Sequence, residues 1–416
     1  MRTDAPVRKH RPDMFLLLFM SILLLLGLII IYAISPALIV HGSAGTNDQV
    51  QFMLRQLLYL GIGLVGFATA ATVPVDFWLK HKGKLLVVAL ILGVVPFVLQ
   101  ATPIGLCANG ACRWIDFGVA SFQPAEFMKF ALLIYLAGFL SVRIAEGALN
   151  DLRRTLIPIG VVLFAYAVIV IGLQKDLGTG LTIFGIVLTV LFIAGLKARY
   201  FLAVVGVSLA LGTVFTLLAP HRLERIFTFI NHDSSAQDND GSGYHINQAL
   251  IAVGSGGLMG KGLGEGVQAF GYLPEAANDS IFPILAEKFG FVGTVAILAI
   301  FAGLFLRILF IMDHTVNLYY KLIVAGVFGW VFAHTVINIC AMLGIFPLTG
   351  ITLPFVSFGG TSLLFMLCAL GLAFQISRYT SHTNIANQQG GTNDNRRRGR
   401  GIGRTRDASR RSFART

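Results

Sequence analysis

Met14-Phe-Leu-Leu-Leu-Phe-Met-Ser-Ile-Leu-Leu-Leu-Leu-Gly-Leu-Ile-Ile-Ile-Tyr-Ala-Ile-Ser35 runs for 22 residues without a charged side chain. At about 1.5 Å per residue a helix of that length measures about 33 Å, enough to cross a hydrocarbon core of roughly 30 Å. Basic residues precede it, as in a signal peptide, but the run is span-length and no small-residue cleavage site ends it, so it reads as a retained first helix. Similar runs recur near 53–73, 85–101, 124–141, 155–173, 177–195, 200–219, 281–311, 321–344 and 360–378. The eighth is long enough to tilt or to begin outside the bilayer. With 56% of its 416 residues hydrophobic and 12% charged, the chain is predicted to be an all-α polytopic membrane protein with ten transmembrane helices.

The Lys/Arg distribution predicts orientation, because short loops rich in positive charge stay in the cytoplasm. Arg8, Lys9 and Arg11 precede span one, Lys80, Lys82 and Lys84 follow span two, and Arg143, Arg153 and Arg154 follow span four. Lys197, Arg199, Arg307, Lys321 and the Arg-rich end fall on the same side. The expected layout is a cytoplasmic segment 1–13, a membrane domain 14–378 and a basic cytoplasmic tail 379–416, with a large extracytoplasmic loop at 220–280. Of the net charge of +12, the nine Arg and two Asp of the tail account for +7. The tail has too little apolar content to fold alone, so it is expected to be disordered and to meet anionic lipids or a cytoplasmic partner. No nucleic-acid partner is expected, since no folded or aromatic recognition module accompanies the arginines.

In so apolar a chain, acids at a span boundary ask for a reason, because they lose hydration there. Glu275 and Asp279 stand in Leu273-Pro-Glu-Ala-Ala-Asn-Asp-Ser-Ile-Phe282, just before span eight. Asp279 could cap that helix or project into a cavity as a general base or cation ligand. Glu126 and Lys129 are one helical turn apart at the start of span four and predict an ion pair, structural or lining a cavity. Arg113, in the preceding loop, suits bidentate phosphate binding. Asp176 follows Gln174 and Lys175 in another turn on that side. Together these residues could line a cavity for an anionic, lipid-linked substrate, or form a belt of paired anchor charges. Glu287 and Lys288 carry the same ambiguity, whereas His334 and Asn338 read as interhelical hydrogen-bonding residues.

Seven glycines from Gly254 to Gly266 permit close backbone approach, structurally or against a phosphate, with Lys261 among them and Gln268 just beyond. A nucleotide P-loop is a poor fit, because Gly260-Lys261 is followed by Gly262 rather than Ser or Thr. Cys107 and Cys112 flank a short outward loop and are either a disulfide or two free thiols.

In order along the chain stand Arg113-Trp-Ile-Asp116, Gln123-Pro-Ala-Glu-Phe-Met-Lys129, Asp176-Leu-Gly-Thr179, Ala252-Val-Gly-Ser-Gly-Gly257, Leu273-Pro-Glu275 with Asp279, and Leu353-Pro-Phe-Val-Ser-Phe-Gly-Gly360. In this combination the chain resembles the SEDS (shape, elongation, division and sporulation) family, the FtsW/RodA type of peptidoglycan glycosyltransferase. The resemblance implies a SEDS-type fold and a polymerase of lipid II at the outer face of the bacterial cytoplasmic membrane, serving division or elongation. It implies that Asp279 is catalytic, deprotonating the acceptor hydroxyl or helping a Mg or Mn ion activate it, with no organic cofactor. Glu126 and Lys129 match the polar pair of the family's cavity, and a class B penicillin-binding protein transpeptidase is the implied partner. Arg113 and Lys261 are expected, on physical grounds, to meet pyrophosphate charge. His245 stands where glutamine is usual, Lys175 where proline is, Ala269 where lysine is, and Lys288 where a second acid is. Two other readings suit the residues: a lipid II flippase or other lipid transporter, and a non-enzymatic scaffold for a penicillin-binding protein.

Overall fold

The computed structural model describes residues 11–40, 49–102, 104–108, 111–118, 121–217 and 242–380. The expected tail beyond residue 380, most of the N-terminal segment and residues 218–241 of the long loop lie outside them.

The apolar runs form α1 (Met14–Val40), α2 (Gln49–Thr72), α3 (Val75–Val98), α4 (Pro124–Ala145), α5 (Leu152–Leu173), α6 (Leu177–Ile193), α7 (Ala198–Leu217), α9 (Ile281–His314), α10 (Leu318–Met342) and α11 (Gly360–Ile376). All ten predicted spans are present, and nine are long and apolar enough to cross a bilayer, α6 being shorter at 17 residues. Side chains set several of their starts by accepting from orphan backbone N–H groups. Asp151 caps α5, Asp176 caps α6 and Asn317 caps α10 in this way, while Pro124 opens α4 where its missing N–H is harmless.

α4, α10 and α11 are largely buried among the others, and α7 packs at the edge with most of its surface exposed. Small residues let α6 and α10 approach closely: a Cβ on Gly185 would stand 2.6 Å from that of Ala333. Between helices whose lipid-facing surfaces are equally apolar, such close van der Waals contact is a main source of association.

Three features go beyond the ten helices read from the sequence. Between α3 and α4 the chain makes a small antiparallel sheet, β1 (Gly105–Ala108), β2 (Ala111–Asp116) and β3 (Ser121–Phe122), in that order, with Cys107 and Cys112 joined as a disulfide across the hairpin. The segment expected to be one long loop contains α8 (Ser242–Ser255), whose Ile246, Ala249 and Ala252 are buried in the core. The long eighth span is also two pieces, broken at Gly290, whose φ of 66° and ψ of −168° are not helical.

The break leaves backbone groups that a bilayer would not satisfy, and the glycine-rich segment supplies their partners. Lys261 N donates to Glu287 O and Gly262 N to Lys288 O, both at 3.0 Å. In return Phe291 N donates to Gly257 O at 2.9 Å and Val292 N to Leu258 O at 3.1 Å. A Cβ on Gly290 would lie 2.2 Å from Gly260 N, so the two backbones meet only because neither residue has a side chain.

Candidate functional site

At one end of the bundle, the short sheet and the turns before α6, α9 and α11 come together. Arg113, on β2, donates from Nε to Gln174 O at 3.0 Å and from Nη2 to Lys175 O at 2.6 Å, tying the hairpin to the turn before α6. That turn presents Asp176, which accepts from Thr179 N, Thr179 Oγ1 and Gln123 Nε2. Arg113 and Asp176 thus hold segments together through these bonds, and neither is an idle surface charge.

Asp279 sits in the turn between Leu273 and α9 and is buried, with 8% of its surface exposed. The N-cap position of α9 belongs to Ser280, which makes no side-chain cap hydrogen bond. The surrounding turn is tightly held. Asn338 of α10 donates from Nδ2 to Asp279 O, and Phe358 N donates to Ala277 O at 2.8 Å. Ser280 Oγ donates to Pro274 O at 2.7 Å and lies 2.6 Å from His245 Nε2. Glu275 is exposed, and its carboxylate accepts from Asn278 Nδ2 at 2.6 Å. On the other side, Oδ2 of Asp279 is 4.0 Å from where a Cβ on Gly350 would stand.

Among the described residues, three that are not glycine have positive φ: Lys175 at 51°, Glu275 at 52° and Phe355 at 66°. Each lies in one of the turns that meet here, before Asp176, before Asp279 and before α11. A side chain in the left-handed region costs about 1 kcal/mol or more and persists where surrounding structure imposes it, typically at functional sites.

Further into the bundle, Lys129 Nζ is 2.8 Å from Glu126 Oε1, 2.9 Å from His334 Nε2 and 5.2 Å from the Trp330 ring centroid. The predicted ion pair is therefore present and buried, and His334 joins it from α10. His334 and Asn338 are one turn apart on α10, so that helix reaches both this cluster and the turn of Asp279.

Glu287, Lys261 and Gln268 form a separate arrangement on the glycine-rich segment. The buried Glu287 carboxylate accepts from Val267 N at 3.0 Å, Gln268 N at 3.4 Å and Lys261 Nζ at 3.2 Å. Lys288 Nζ donates to Leu263 O at 2.7 Å. These charges hold the segment onto the broken helix.

Asn338 as the holder of the Asp279 carbonyl, and His245 with Ser280 beneath the same turn, were not assigned to the site from the sequence. The signals available were an Asn inside an apolar span and a His at 245 where glutamine is usual. No group of three or more His, Cys, Asp or Glu suited to a metal occurs among the described residues. Asp279 is the residue that would help to hold a divalent cation at this end of the bundle.

Nine span-length apolar helices and the shorter α6 around a buried polar cluster, with strained turns and an acid at one end, define a polytopic integral membrane protein with a built site. Residues 13–382 match the FtsW, RodA and SpoVE family, described as "Cell cycle protein". The chain belongs to this family. It is 38% identical to "Stage V sporulation protein E" of Bacillus subtilis, over 90% of this chain and 99% of that protein. It is 36% identical to the "Probable peptidoglycan glycosyltransferase FtsW" of Thiomicrospira cyclica, over 88% and 92%. Its fold is similar to that of Thermus thermophilus rod shape determining protein RodA, with a TM-score of 0.63 and 26% identity over 89% of this chain and 98% of that one. A chain in the structure reported as "Structural coordination of polymerization and crosslinking by a peptidoglycan synthase complex" gives a TM-score of 0.67 and 25% identity, over 88% and 98%.

Proposed function

We propose that this chain is a peptidoglycan glycosyltransferase that polymerises lipid II into glycan strands, in division or elongation. The observation that carries this reading is the placement of Asp279: a buried carboxylate on a turn pinned by α10 and by the segment before α11. A general base must be held within reach of the proton it takes, and this turn is held on both sides. In the reaction, an acceptor sugar hydroxyl gives its proton to Asp279 as its oxygen bonds to the donor's anomeric carbon. The bond from that carbon to undecaprenyl pyrophosphate breaks, and the pyrophosphate leaves with the electron pair. Alternatively, a Mg or Mn ion held with the help of Asp279 would supply the positive charge that activates the acceptor hydroxyl. Lys261 pairs with Glu287 on the glycine-rich segment, so this reading rests on Asp279 and not on Lys261.

The Lys/Arg distribution supports an orientation with both termini in the cytoplasm and Asp279 at the outer face of the bacterial cytoplasmic membrane. A class B penicillin-binding protein is the partner this reading implies, and the basic tail would meet anionic lipids or a cytoplasmic protein.

The test is lipid II polymerisation by wild-type and Asp279→Asn protein, each reconstituted with a class B penicillin-binding protein and resolved on a gel. Strands from wild type alone support the proposal. Equal strands from both remove Asp279 from the chemistry, and lipid II movement across vesicles without strands points to a transporter.

A further inference from the structure

Ser280 follows Asp279 directly, is fully buried, and has one hydroxyl hydrogen. That hydrogen goes to Pro274 O, 2.7 Å away. The 2.6 Å contact between Ser280 Oγ and His245 Nε2 must then be a bond in which His245 donates and Ser280 accepts. Neutral imidazole with hydrogen on Nε2 and imidazolium can both make it, so it holds in either charge state.

His245 lies on α8, which is seated by its apolar face, and the segment just past α8 meets α9. A Cβ on Gly256 would fall 2.1 Å from Ala286 O. α8 therefore touches the turn of Asp279 near its start, while the chain beyond its end contacts the first half of the broken helix. We propose that His245 is a positioning residue for Asp279, fixing the turn that carries this carboxylate through Ser280. The proposal deepens the glycosyltransferase reading and rests on it for its catalytic consequence. The chain of bonds runs from His245 Nε2 to Ser280 Oγ to Pro274 O and closes the turn from 274 to 280. Asn338 holds the same turn from the opposite side at Asp279 O. Removing the imidazole leaves the buried Ser280 oxygen with one partner fewer and the turn with a single side-chain clamp.

The test uses full-length protein reconstituted with a class B penicillin-binding protein. His245→Ala is expected to lower kcat for strand synthesis about tenfold, with KM for lipid II within about twofold, because the base is misplaced and substrate contacts are not. His245→Gln, whose side-chain amide can donate to Ser280, is expected to restore kcat to within about threefold of wild type. The double variant His245→Ala/Ser280→Ala should be no slower than Ser280→Ala alone, as for two members of one chain of bonds. Hydrogen exchange of the peptide spanning 273–281 gives a reading without activity: faster in His245→Ala, close to wild type in His245→Gln.

Wild-type kcat and unchanged exchange in His245→Ala would overturn the proposal, as would a loss that Gln does not restore. If wild type makes no strands, the glycosyltransferase reading fails, and exchange alone still decides whether His245 holds the turn.

Discussion

Asn338 donates from one amide nitrogen to two backbone carbonyls, Asp279 O and Ile351 O, each 2.7 Å away. Both partners accept only, so the amide orientation is fixed: nitrogen toward the carbonyls, oxygen away. A residue on a spanning helix thereby joins the turn of Asp279 to the segment that leads into α11. Asn338→Ala leaves two buried carbonyls short of a donor and should cost about 2 kcal/mol, with loss of strand synthesis. Asn338→Asp should be worse, because it sets carboxylate oxygens against carbonyl oxygens. Thermal unfolding of the detergent-purified variants checks the order, and Asp as stable as Ala would contradict it.

The Cys107–Cys112 bridge closes a short hairpin whose next residue is Arg113, the clamp on the turn at 174–175. Closing so small a loop is worth about 2 kcal/mol. Cys107→Ser/Cys112→Ser should raise hydrogen exchange across 105–116 by up to about thirtyfold, the equivalent of that energy. Unchanged exchange would mean that the cross-strand bonds hold the hairpin unaided.

Glu287 is the buried acceptor that fastens the glycine-rich segment, and Lys261 is one of its donors. Glu287→Ala orphans the Val267 N–H and removes the partner of Lys261, so the segment should detach and trypsin should cut after Lys261. Glu287→Gln can keep one oxygen facing Val267 N and Lys261 Nζ, so it should resist cleavage nearly as wild type does. Equal cleavage of the two variants would show that charge, not hydrogen bonding, does the fastening.

The ten spans were readable because uninterrupted apolar length is a local property of the chain. The pairing of Glu126 with Lys129 was readable for a similar reason, both lying on one helix a turn apart. The break at Gly290 was not: a glycine inside an apolar run is common, and its meaning depends on Gly260, thirty residues earlier, meeting it backbone to backbone. Glu287 and Lys288 read as either cavity charges or paired anchors, and their partners include backbone groups of that same segment, which no side-chain pattern announces. Burial of Asp279 likewise depends on Asn338 and Phe358, brought in by long-range packing. The spacing of the two cysteines permitted a bridge without deciding it. The hairpin supplies the decision by placing them opposite each other.

Lys129 is fully buried beside Glu126, His334 and Trp330, where an ion pair is held by geometry and a lone charge is not tolerated. Lys129→Met leaves Glu126 in the bundle without its cation and should cost about 3–5 kcal/mol. Replacing both, as Glu126→Leu/Lys129→Met, removes the two desolvated charges together and should bring stability back to within about 1 kcal/mol of wild type. Thermal unfolding of wild type, both single variants and the double variant gives the coupling between them. Stability restored in the double variant also separates folding from function, because strand synthesis can then be measured in a protein that is intact but lacks the polar pair. If the pair contributes to the substrate cavity, the double variant should synthesise strands at least about tenfold more slowly, a loss of about 1.4 kcal/mol in transition-state stabilisation. A double variant that is both stable and fully active would make the cluster a packing element of α4 and α10.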